Sequence, residues 1–242
     1  MANMFVSDLI QIGSFVFIAF ANSKTRFLGK DALSKKRAGY LFAFGSLAGI
    51  FFISLTAAVL LMSGIGELAA VQNRNWFAIA YSILHYVAVS LAEESICRGL
   101  VYNMFLKKTS RIWAVALSSV VFSLMHLANP GFNLLAFINI TLIGIAFCCM
   151  AIKSGGSLMC PIGFHFTWNL FQGNFWGMSV SGTTTSANTN SILALAMDSS
   201  MPSHMSGGIF GPEASVAATL VVVVCILFFY YRFNPKGVPG NE

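Results

Sequence analysis

Six polar residues stand inside runs of sequence that are otherwise apolar: Glu93, Glu94, Arg98, His126, His165 and Asn169. Ionisable groups at such positions are costly in a membrane interior and are functional candidates by default. On a helix, Glu94 and Arg98 are four residues apart and share a face, so they can pair. Glu93 lies about 100° round the helix from Glu94 and about 140° from Arg98. One carboxylate therefore has a counter-ion and the other points elsewhere, which predicts structure for Glu94 and chemistry for Glu93. His165 and Asn169 also share a helical face. Phe122 stands one turn before His126 and is expected to pack under its ring. At 1.5 Å per residue, Glu93 lies roughly 20 Å from Leu106, and His126 roughly 22 Å from Arg111. His165 and Asn169 lie about 18 and 24 Å from Lys153. Three helices thus bring polar groups to one level.

A carboxylate in a medium of low dielectric can act as a general base toward water. A neighbouring histidine can orient that water or carry its proton. A second histidine and an asparagine amide are donors suited to an oxyanion, worth about 3–4 kcal/mol per well-placed group. Alternatively, Glu93, His126 and His165 form a plausible set of ligands for a divalent metal such as zinc, with an open position for water. Both routes lead to hydrolysis of an acyl bond, and no Ser or Cys is paired with a base as a covalent nucleophile. His85 lies about 80° off the Glu93 face and is expected to be a hydrogen-bonded helix histidine. His204 is expected in solvent, and Asp8 near water at the outer end of its helix.

The elements that must hold these residues follow from composition. Of 242 residues, 57% are hydrophobic and 9% are charged, with 23 Phe, against roughly 25% charged in a soluble domain. Lipid can solvate such a chain, whereas polar surface could not cover it. Apolar runs predict an all-α membrane bundle of about seven helices, or eight, over 4–21, 39–62, 76–106, 111–127, 133–152, 157–177 and 214–231. The first run lacks a positive segment before it and reads as a true span with its N-terminus outside. The net charge of +6 falls in short clusters between apolar runs, which argues against nucleic acid. With seven spans, Lys24 to Arg37, Lys107 to Arg111, Lys153, Arg232 and Lys236 all fall on one side. The positive-inside rule makes that side cytoplasmic, together with the C-terminus. The loop 178–213 has no Lys or Arg, and its Ser191–Met197 stretch is apolar enough to lie on or re-enter the membrane. Two GxxxG steps, Gly45/Gly49 and Gly173/Gly177, predict close helix packing. The five cysteines lie in apolar runs and predict no disulfide framework.

At the polar residues the sequence resembles the CAAX protease and bacteriocin-processing family (CPBP, or ABI) of intramembrane peptidases, which includes the type II CAAX prenyl endopeptidase. Its EExxxR, FxxxH and HxxxN motifs correspond to Glu93, Glu94 and Arg98, to Phe122 and His126, and to His165 and Asn169, in order. The motifs lie within 85–177, and a GG-x-FGPE stretch at Gly207–Glu213 extends the likeness. The resemblance implies that Glu93 activates water with His126 assisting. His165 and Asn169 would stabilise the oxyanion, and Glu94 with Arg98 would hold the helix. It also divides the chain into N-terminal helices and basic loop (1–75), a peptidase core (76–232) and a cytoplasmic tail (233–242). The implied protein is a multi-pass endopeptidase of the plasma membrane acting on a peptide or protein, with metal use left open. A transporter or proton relay, and a non-catalytic scaffold or immunity protein on the same fold, are the competing classes.

Overall fold

A computed structural model describes residues 35–71, 74–183 and 191–233. The expected first span 4–21, with Asp8 and the basic residues Lys24, Arg26 and Lys30, lies outside them, as does Lys236. The described chain is a helical bundle. Helix α1 spans Lys35–Met62, α2 Trp76–Leu106, α3 Arg111–Leu124, α4 Leu134–Lys153, α5 Met159–Leu170 and α6 Val216–Tyr231. Several begin where a short polar side chain can accept from the first free amides: Asn75 from Ala78, Asn133 from Ala136 and Ser215 from Ala218.

Helices α1, α2 and α4, with 28, 31 and 20 residues, are long and apolar enough to cross a membrane. Helices α3 and α6 are apolar but have only 14 and 16 residues. The expected span at 157–177 is replaced by the 12-residue α5 and a π-helical extension, Phe171–Phe175. Helix α5 is buried on nearly every side and packs against α1, α2 and α4. It is surrounded by protein, so the length rule for a lipid-facing span does not govern it. Outward faces of the other helices expose Leu47, Phe51, Ile112, Trp113 and Leu220, as lipid contact requires.

The contact of α1 with α5 shows why glycine is needed. A β-carbon at Gly45 would overlap the Cys160 carbonyl, one at Gly49 the Phe164 carbonyl, and one at Gly163 the Phe42 carbonyl. The helices therefore touch backbone to backbone, as small residues permit. The second GxxxG step is a helix contact only at Gly173, where a β-carbon would meet the Tyr86 hydroxyl of α2. Gly177 lies beyond the helix at φ +69° and faces the backbone of Leu193. Within the apolar stretch Ser191–Met197, Ala194–Met197 forms strand β2, antiparallel to β1, Gly66–Ala69. Strand pairing satisfies the backbone of this apolar stretch, which hydropathy alone could not show.

Candidate active site

Helix α2 loses its regular period immediately after the two glutamates, because Ser95–Val101 is a π-helix. The wider turn still brings Arg98 Nη1 to 3.0 Å from Glu94 Oε1, with both side chains buried. Arg98 Nη2 donates to the Gly144 carbonyl of α4 at 3.1 Å. Its guanidinium lies over the rings of Phe122 and Phe147, 4.3 and 4.9 Å from their centroids. Pairing, a carbonyl and two aromatic faces together offset the burial of this charge.

Glu94 does more than the sequence predicted. Its Oε1 also lies 3.0 Å from His165 Nδ1, so a residue expected only to hold a helix orients an imidazole of the site as well. A carboxylate can only accept, so Nδ1 carries the proton and Nε2 turns to the cavity. There it lies 3.8 Å from Glu93 Oε2. Glu93 Oε2 is buried and has no hydrogen-bond partner among the described residues. Phe147 stacks on the His165 ring with centroids 5.1 Å apart. Asn169, one turn along α5, lines the same cavity.

His126 was expected inside a helix, but α3 ends at Leu124 and His126 sits in the turn that follows. The turn keeps its backbone bonded locally, with His126 N donating to the Ser123 carbonyl at 3.0 Å. His126 Nδ1 lies 2.9 Å from the Phe122 carbonyl and must donate to it, so its Nε2 is also free. Phe122 meets the His126 ring edge-on, at 5.1 Å and 70°, and does not stack beneath it.

These groups border one cavity of about 250 Å³. Glu93, His126, His165, Asn169 and Phe122 all line it, and His85 does too. The donor arrangement does not fit a metal ion. Glu93, His126 and His165 do not form a three-donor group, and no other His, Cys, Asp or Glu group of that size does among the described residues.

The remaining wall was not predicted. Val180, Ser181, Thr183 and Glu213 from the long loop, with Asn129 from the turn after α3, complete the cavity. Glu213 is buried and accepts from the Ser181 backbone N–H at 2.6 Å and from its hydroxyl at 3.0 and 3.1 Å. Burial pushes the Glu213 carboxyl upward, opposed by its hydrogen bonds with Ser181 and Gln172. The one sequence signal was a carboxylate at the end of the GG-x-FGPE stretch. No helical spacing linked it to the other site residues.

Residues 73–171 match the family model described as Type II CAAX prenyl endopeptidase Rce1-like. This segment, less than half of the chain, is similar to that family. It contains Glu93, Glu94, Arg98, Phe122, His126, His165 and Asn169, whereas Ser181 and Glu213 lie beyond it. The family so described is one of endopeptidases, and the likeness is confined to this segment. No curated protein and no solved structure matches the chain.

Proposed function

We propose that the protein is an intramembrane endopeptidase in which Glu93 activates water for attack on a peptide carbonyl. The observation that carries this is the contrast between the adjacent carboxylates. Glu94 is engaged through Oε1 by Arg98 and His165 and does not line the cavity, while Glu93 lines it. Each keeps one buried oxygen without a hydrogen bond among the described residues, but only that of Glu93 belongs to a residue of the cavity wall. A carboxylate bordering the cavity is placed to meet water as a base.

In this mechanism a water seated against Glu93 gives its proton to that carboxylate as its oxygen bonds to the carbonyl carbon. His126 Nε2 accepts from the water's second hydrogen and orients it. The negative oxygen of the tetrahedral intermediate is met by the Asn169 amide and by His165. Donation from His165 Nε2 requires the imidazolium form, because Nδ1–H is committed to Glu94, and Glu93 and Glu94 flank it to balance that charge. The proton on Glu93 then passes to the departing amide nitrogen as the C–N bond breaks. The products are one carboxylic acid, whose remaining proton passes to water or to the released amine, and one amine, and Glu93 is regenerated as the carboxylate. His165 and Asn169 act as electrostatic catalysts, and Glu94 and Arg98 as positioning residues.

The family description supports a substrate ending in a prenylated cysteine and three further residues. The clustering of basic residues supports a plasma-membrane protein with a cytoplasmic C-terminus. The test is release of the terminal tripeptide from a farnesylated reporter peptide by the full chain in liposomes, beside an unprenylated control. Cleavage by wild type and its loss in Glu93→Gln are expected. An undiminished rate in Glu93→Gln would overturn the assignment. Comparing protein termini in cells carrying wild type or Glu93→Ala extends the test to other substrates.

A further inference from the structure

Val180 to Thr183 forms a tight turn, with Thr183 N donating to the Val180 carbonyl at 2.8 Å and an antiparallel bridge between the two residues. Its central residues, Ser181 and Gly182, have φ of +47° and +79°. Two left-handed residues in succession are the signature of a primed hairpin turn, where Asn-Gly or Gly-Gly is the ordinary choice. Ser181 is the single residue other than glycine with positive φ among the described residues. A serine in that conformation needs compensation from its surroundings.

Glu213 supplies it. Its carboxylate takes both the N–H and the hydroxyl of Ser181. From the other side, Asn129 Nδ2 donates to the Ser181 carbonyl at 2.8 Å. Gly182 N donates to the Phe210 carbonyl at 2.7 Å, and a β-carbon at Gly182 would overlap the Pro130 carbonyl. Glu213 is itself anchored, because Asn139 Nδ2 of α4 donates to its backbone carbonyl at 2.7 Å. The chain of contacts runs from a membrane-spanning helix, through Glu213, to a strained turn bordering the cavity.

We infer that Glu213 is a positioning residue that latches the 178–183 turn as the outer wall of the cavity and so sets how substrate seats beside Glu93 and His126. Both carboxylate oxygens of Glu213 accept from Ser181, so Glu213 acts on the cavity through the turn. Its contribution falls on substrate seating more than on the chemical step. This role rests on the hydrolytic reading of the cavity, but the latch itself can be measured without turnover.

The experiment compares wild type, Glu213→Gln and Ser181→Ala in full-length protein in detergent and liposomes. Glu213→Gln replaces one acceptor oxygen by a donor facing the Ser181 N–H, and Ser181→Ala removes only the hydroxyl. Hydrogen exchange of peptides covering 178–183 is expected to quicken about tenfold in Glu213→Gln, the equivalent of one charge-assisted bond, and less in Ser181→Ala. Peptides from 134–153 and 159–170 should keep wild-type protection. On the farnesylated reporter, both variants should raise KM while kcat stays within about threefold, the mark of lost uniform binding. Unchanged exchange in the turn overturns the latch. Equal loosening of 134–153 in both variants overturns it too, by reducing Glu213 to a folding residue. A loosened turn with unaltered KM overturns the wall assignment. If wild type cleaves no reporter, the hydrolytic reading fails separately and the exchange result still decides the latch.

Discussion

Two of the cavity's three histidines, His165 and His126, are held by different kinds of structure. His165 is fixed by helices throughout: it sits on α5, bonds to Glu94 of α2 and stacks on Phe147 of α4. His126 sits on a turn, bonds to a backbone carbonyl, and adjoins a wall assembled from the 178–183 turn and Glu213. The first arrangement repeats at helical spacing and is rigid because each partner is already fixed by a buried helix. The second depends on residues about 85 positions apart in sequence and on one strained turn. The helical arm holds the Glu94–Arg98 pair and His165, while the loop arm, through Glu213 and the turn, completes the cavity wall.

The contrast can be broken or sharpened by substitution. The largest effect is expected from Glu93→Gln, with kcat on the farnesylated reporter down ~10²–10⁴-fold and thermal stability in detergent nearly unchanged. A large loss of stability would instead make Glu93 a structural residue. Arg98→Ala tests the helical arm, because it leaves Glu94 buried without its cation. A loss of ~3–5 kcal/mol in unfolding free energy is expected, and stability within about 1 kcal/mol of wild type would contradict the arrangement. Asn169→Ala should lower kcat by ~10²–10³-fold, as for one oxyanion donor, with KM nearly constant. A change confined to KM would move Asn169 from the oxyanion to the substrate's seat. The smallest effect belongs to the loop arm. Asn129→Ala removes one bond to the Ser181 carbonyl and should cost ~0.5–1.5 kcal/mol, read as faster exchange in 178–183 with the α4 peptides unaffected.

The same contrast explains what was legible. The Glu94–Arg98 pair followed from spacing alone, since neighbours four apart meet on any helix, and here even through a π-helical segment. The bond from Glu94 to His165 did not, because 71 positions separate them and their meeting depends on how α2 and α5 pack. Gly45 and Gly49 announced a close contact, but only the fold identified α5 as the helix they touch. The end of α3 before His126 was also hidden. Residues 125–127 are Met-His-Leu, whose apolar character continues the helical pattern past the point where the chain turns.

By itself the sequence determined the helical class, the apolar character of the chain and which polar residues interrupt it, because hydropathy and helical period are local properties. Tertiary structure alone decided that Glu94 also meets His165, which nitrogen of His165 meets the cavity, and that Glu213 belongs to its wall. Those are matters of partners distant along the chain, and no local periodicity encodes them.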